Sequence, residues 1–203
     1  TEIANTYIGT SEKNKEIVNP VEIDGQPIEQ IYIDARNGIT SKVYTLWTDV
    51  YPLDATFQDV EYICLPSLLD YNSGLYKTKP LLRFTGNNFD ITRAGTAKIL
   101  VVSKDSIGTM FSTTSLYDSL LSAIYQNYTE YSKTEDKDIE KGKTYYIFNQ
   151  STNKYEEVKE PVKDNISSYF EKNDLDELIK KYCTENSQLR FKLMSVKVAD
   201  GKS

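Results

Sequence analysis

The chain of 203 residues contains no histidine, only two cysteines and a single tryptophan. Without histidine the commonest general base and metal ligand is gone, so a nucleophilic triad would need the rarer lysine or carboxylate bases. Cys64 and Cys183 lie in different halves of the chain; they make no disulfide framework and, with no histidine, no tetrahedral zinc site. Two buried free thiols are expected. Glycine is sparse at nine residues, and neither the dinucleotide-binding G-x-G-x-x-G nor the lysine-bearing phosphate loop occurs. No apolar run reaches the length of a bilayer span, and Thr1-Glu2-Ile3-Ala4-Asn5 lacks the basic and apolar regions of a signal peptide. The net charge of −6 is spread along the chain, which leaves no electrostatic footprint for nucleic acid or an anionic membrane. These gaps predict a protein with no catalytic, cofactor or metal residues and with neither nucleic acid nor membrane as partner.

Two acidic stretches qualify that reading. Asp70-Tyr71-Asn72-Ser73-Gly74 has the D-x-N-x-G opening of a calcium loop, but Leu81 stands where the bidentate glutamate belongs, so a polar turn is expected. Glu135, Asp136, Asp138 and Glu140 alternate with Lys133, Lys137 and Lys141, the pattern of a solvated loop.

The chain does have hydrophobic residues, at 39%, and sixteen tyrosines. That is enough apolar material for a packed core, and tyrosine suits contact surfaces because its ring buries area while its hydroxyl stays wet. Residues 1–24 are polar without a sustained period and predict an extended arm. Ile28, Ile31 and Ile33 then lead into Asn37-Gly38, a tight-turn signal. Tyr44, Leu46, Thr48 and Val50 share one phase of a strand that Pro52 ends. Val60, Tyr62 and Cys64 mark another strand, Leu81 to Thr85 a third, and Ala97, Ile99 and Val101 a fourth, half-buried one after the turn at Ala94-Gly95.

Beyond residue 104 the pattern changes. A short strand is expected at 109–112. Leu116, Leu120, Leu121, Ile124 and Tyr128 then recur near helical spacing behind a cap at Thr114 or Ser115. Thr144 to Phe148 and Tyr155 to Val158 flank a polar turn and predict a hairpin. Leu175, Leu178, Ile179 and Tyr182 predict a second helix, capped by Asn173. In the last strand Leu189, Phe191 and Leu193 hold one phase, while Met194, Val196 and Val198 hold the other. That shift requires either a bulge or burial on both faces.

The segments Val50-Tyr51-Pro52-Leu53-Asp54-Ala55-Thr56 and Ala94-Gly95-Thr96-Ala97-Lys98-Ile99 resemble two signatures of the bacterial immunoglobulin-like domain, group 2, in the right order. The resemblance implies an immunoglobulin-like β-sandwich over residues 25–113. Lys141-Gly142-Lys143-Thr144-Tyr145-Tyr146, with Tyr155 and then Tyr169-Phe170-Glu171, is similar to a short module recurrent in phage structural proteins. The expected architecture is mainly β: an arm (1–24), a sandwich (25–113) and a small α+β module (114–203).

The two resemblances together imply a non-enzymatic bacteriophage virion protein, assembled in the host cytoplasm. It would be an accessory capsid (decoration) or head-fibre component that docks on other virion proteins or on copies of itself. A tail protein is one alternative, and a bacterial surface adhesin or carbohydrate-binding module is another. The residues expected to make contacts are Trp47, Tyr51, Tyr145, Tyr146, Tyr155 and Tyr169. Trp47 points outward if Leu46 and Val50 point inward, and is then either open to a partner or sugar, or covered by the arm or the second module. The last four tyrosines serve either as contacts or as packing between the modules.

Overall fold

The computed structural model describes residues 2–52, 59–107, 112–185 and 189–201. In chain order the elements are β1 (Glu2–Gly9), β2 (Lys15–Ile17), β3 (Pro20–Ile23), β4 (Gln26–Asp34), β5 (Val43–Tyr51), β6 (Val60–Pro66), α1 (Leu68–Ser73), α2 (Leu75–Thr78), β7 (Leu82–Thr85), β8 (Asn88–Ile91) and β9 (Gly95–Ser103). They continue as α3 (Lys104–Ile107), α4 (Thr113–Leu120) with a π-helical extension (Leu121–Tyr125), β10 (Tyr131–Lys133), β11 (Tyr145–Asn149), β12 (Lys154–Val158), a 3-10 turn (Lys163–Ser168), β13 (Phe170–Lys172), α5 (Leu175–Glu185) and β14 (Phe191–Ala199). The protein is mainly β. One five-stranded sheet runs β2-β1-β5-β8-β7, a second runs β3-β4-β14-β9-β6, and a four-stranded sheet runs β10-β13-β11-β12.

The two large sheets pack as a sandwich. Leu46, Phe89 and Ile91 from the first meet Ile31, Ile33, Ile99, Val101, Met194 and Val196 from the second in one apolar core. The opposite face of the second sheet is covered as well. Ile63, Leu65, Leu100 and Val102 pack there against Leu116, Leu120 and Ile124 of α4 and its π-helical extension and Ile179 and Cys183 of α5. The body therefore has three layers. β9 is not the half-buried strand expected: Ile99, Leu100, Val101 and Val102 are all fully buried, because alternate residues feed the two cores. β14 pairs with β9 in unbroken register from Phe191 to Val198 and runs parallel to β4 on its other side. Its mixed phase thus records burial on both faces.

The expected division at residue 113 does not follow the packing. β14 is the middle strand of the second sheet, and the two helices form that sheet's outer layer, so much of 114–203 belongs to the same body as the sandwich.

The N-terminal residues also depart from an extended arm. β1 sits inside the first sheet, between β2 and β5. A register shift between Ile3 and Thr6 breaks the period-2 pattern, which is why residues 1–24 read as irregular. Buried Thr6 shares a hydrogen bond of 2.9 Å with Thr48, which shares one of 2.6 Å with the Tyr62 hydroxyl, tying both sheets together. Beside the shift, Lys192 of β14 donates to the Ala4 carbonyl at 2.6 Å and pairs with Glu29 at 3.0 Å. Burial pulls the Lys192 pKa below the ordinary lysine value despite Glu29.

Asn37-Gly38 forms a turn, with the Gly38 N–H on the Ala35 carbonyl at 3.0 Å. It joins strands of two different sheets. The tight hairpin lies earlier, at Asp24-Gly25 between β3 and β4, where both residues have positive φ (51° and 78°), as a two-residue primed turn requires. Residues 53–56 of the first immunoglobulin-like signature and 109–111 of the expected short strand lie outside the described residues.

Candidate contact surfaces

The four-stranded sheet is an excursion from the helical layer. It leaves through β10 and returns through β13, and Tyr131 lies opposite Lys172 in an antiparallel pair. Its strands pack mainly on one another. Asn173 closes the neck instead of capping α5: its N–H donates to the Glu130 carbonyl (2.7 Å), its Nδ2 to the Thr129 carbonyl (2.7 Å), and its own carbonyl accepts from the Tyr128 hydroxyl (3.0 Å). The helix is capped one residue later, where the Asp174 carboxylate accepts the Glu177 N–H at 3.1 Å. Similarly, Ser112 caps α4 through the Ser115 N–H at 3.1 Å, two or three residues before the expected caps.

Inside the excursion the Lys-Tyr-Tyr and Tyr-Phe-Glu residues engage one another. Gly142, at φ 82°, turns the chain into β11 in a conformation that favours glycine. Lys143 then reaches the Asp136 carboxylate at 2.6 Å and Glu171 at 2.7 Å. Burial works against its charge, but the two carboxylates outweigh that cost and hold its pKa above the ordinary lysine value. Lys143, with help from the Tyr145 hydroxyl, holds the Asp136 carboxyl below its usual value. Tyr145 is fully buried; its hydroxyl donates to Asp136 at 2.7 Å and accepts the Glu140 N–H at 3.0 Å. Its ring lies 5.7 Å from that of Tyr169, whose hydroxyl accepts the Val162 N–H at 3.1 Å. The stretch expected to be a solvated loop therefore supplies, in Asp136, an anchor of the small sheet.

Period 2 sends the neighbouring residues to the other face. There Tyr131, Tyr146, Phe148, Tyr155 and Phe170 converge, with Tyr131 and Tyr155 stacked at 4.2 Å and Tyr155 and Phe170 edge to face at 5.0 Å. Phe148 remains 38% exposed, and the other four are half-buried. The rings cover one another in part, and the Lys133 ammonium lies 5.0 Å from the Phe170 ring centre. Of the four tyrosines expected in this half, Tyr145 and Tyr169 serve packing within the small sheet, and Tyr146 and Tyr155 line its open side. Sequence reasoning missed Tyr131 and Phe170, although Phe170 follows Tyr169 and must face the other way.

Trp47 and Tyr51 lie on the first large sheet. Leu46 and Val50 are buried, so Trp47 faces outward. Tyr7 of β1 is its cross-strand neighbour and donates through its hydroxyl to Asp49 at 3.1 Å. The Lys15 ammonium lies 4.9 Å from the Tyr7 ring centre and 5.6 Å from that of Trp47, a cation–π contact. Trp47 is thus half-covered by the N-terminal strands, while Tyr51, at 41%, is exposed. Trp47 and Tyr51 are therefore on a different sheet from the tyrosines of the excursion.

The remaining candidates have structural roles. Asp70 to Ser73 do not form the polar turn expected but lie in α1, which Ser67 caps by accepting the Asp70 N–H at 3.1 Å and which ends at Gly74. The Asp70 carboxylate, almost fully buried, pairs with Arg93 at 2.7 Å. Cys64 and Cys183 are free thiols, which burial pushes up to about 12 and about 11 respectively. No family model matches the chain, and neither does any curated protein or solved structure.

Proposed function

We propose that this chain is a non-enzymatic virion structural protein, an accessory capsid (decoration) or head-fibre component that docks on other virion proteins. One observation carries the reading. Lys143, Tyr145, Tyr169 and Glu171 of the phage-like motif are consumed in holding the small sheet together. The positions beside them, Tyr146 and Phe170, face the other side of the sheet, where with Tyr131 and Tyr155 they form a half-buried aromatic surface. Such a motif builds a platform for contact, and rigid aromatic rings are the side chains that dominate interface energetics. The test is to image virions with and without this chain; particles unchanged in composition and surface density contradict the proposal.

The carbohydrate-binding alternative has its own observation, the neighbouring rings of Tyr7 and Trp47 on an outer sheet face. Lys15 already lies over both, so a sugar would have to displace it. Saccharide binding abolished by Trp47→Ala would favour that reading over docking on a protein lattice.

A further inference from the structure

We infer that the open side of the four-stranded sheet is a self-association surface, whose partner is the same surface on a second copy of this chain. This rests on the order of side chains across the sheet and holds whether or not the chain belongs to a virion. Lys133 lies opposite Phe170, Phe170 opposite Tyr146, and Tyr146 opposite Glu157. One cross-strand row therefore reads basic, aromatic, aromatic, acidic, from β10 at one edge to β12 at the other.

Such a row is complementary to itself. A two-fold axis parallel to the strands, between β13 and β11, places β10 of one copy over β12 of the other. Lys133 then faces the second copy's Glu157, the Tyr131–Tyr155 stack that lies over Tyr146 and Phe170 meets the same stack of the second copy, and the symmetry makes the charged contact twice. Any partner other than a copy would need this pattern by separate design, whereas a copy carries it already.

The ends of the row are available. Lys133 and Glu157 are both exposed. The Lys133 ammonium reaches inward from its edge strand, 5.0 Å from the Phe170 ring centre and 2.8 Å from the Ser167 carbonyl, so its charge already sits beside the aromatic middle. The aromatic middle matches the composition of interface cores, which are depleted of charge and enriched in tyrosine and phenylalanine, with charged residues at the rim.

The test is sedimentation velocity on the full chain across a concentration series. The unchanged protein dimerises reversibly, more weakly at high salt. Glu157→Lys, at an exposed position, sets like charges against each other twice and raises the dissociation constant about tenfold. The double variant Lys133→Glu with Glu157→Lys reverses the row and returns the constant to within about threefold of the original. A chain that stays monomeric up to about 1 mM overturns the inference. So does a dimer indifferent to Glu157→Lys, or one that the double variant fails to restore.

Discussion

In the sandwich, four successive residues of β9, Ile99 to Val102, alternate between two largely aliphatic cores. The four-stranded sheet has few aliphatic residues to bury and is held by tyrosine rings and the Asp136–Lys143–Glu171 cluster. The difference follows from size. A three-layer body can enclose side chains completely and draws its stability from area removed from water. A single small sheet cannot enclose much, so it relies on large rings that still gain when half-covered and on charged groups that fix each other's geometry. The sandwich should therefore yield to lost volume, and the excursion to lost polar partners.

The largest effect is expected in the sandwich. Leu100→Ala removes a fully buried side chain from the centre of the second sheet, at a cost of about 2–5 kcal/mol, and should lower the midpoint of global unfolding in denaturant. Glu171→Gln acts elsewhere. Weakening one side of the Lys143 cluster should cost about 1–3 kcal/mol and show up as faster hydrogen exchange in β11 and β13, with β9 and β14 unchanged. Tyr145→Phe loses the hydroxyl that bridges Asp136 and the Glu140 N–H; about 1 kcal/mol is expected, again confined to the excursion.

Acid should separate the two regions by a smaller margin. The Asp136 pKa is depressed in the folded state, so its contribution is fully present above the unfolded value of about 4 and lost as pH falls through the folded one. Exchange protection in the small sheet should therefore fall below about pH 4 before that of the sandwich does.

Part of the sandwich was legible in the sequence because β5 keeps its alternation. Leu46 and Val50 face inward and Trp47 outward, as their phase requires. β1 was not legible, because the shift between Ile3 and Thr6 hides its period. Nor was the position of β14, since strand order is set by contacts remote in sequence, and its double-sided burial only hinted at a central place. In the excursion the hairpin was plain, and so in principle was the split between Tyr145 and Tyr146, because adjacent residues on a strand cannot share a face. The ion-pair role of Asp136 was invisible inside a run of alternating charges.

The strands of the excursion pack mainly on one another, so the body that carries it is expected to keep its fold without it. Because Tyr131 lies opposite Lys172, residues 131–172 can be replaced by a short glycine-serine linker, and hydrogen exchange can then be measured in β9 and β14 of the shortened chain. Protection equal to that of the full chain is the expected result; loss of protection in those two strands would contradict the claim.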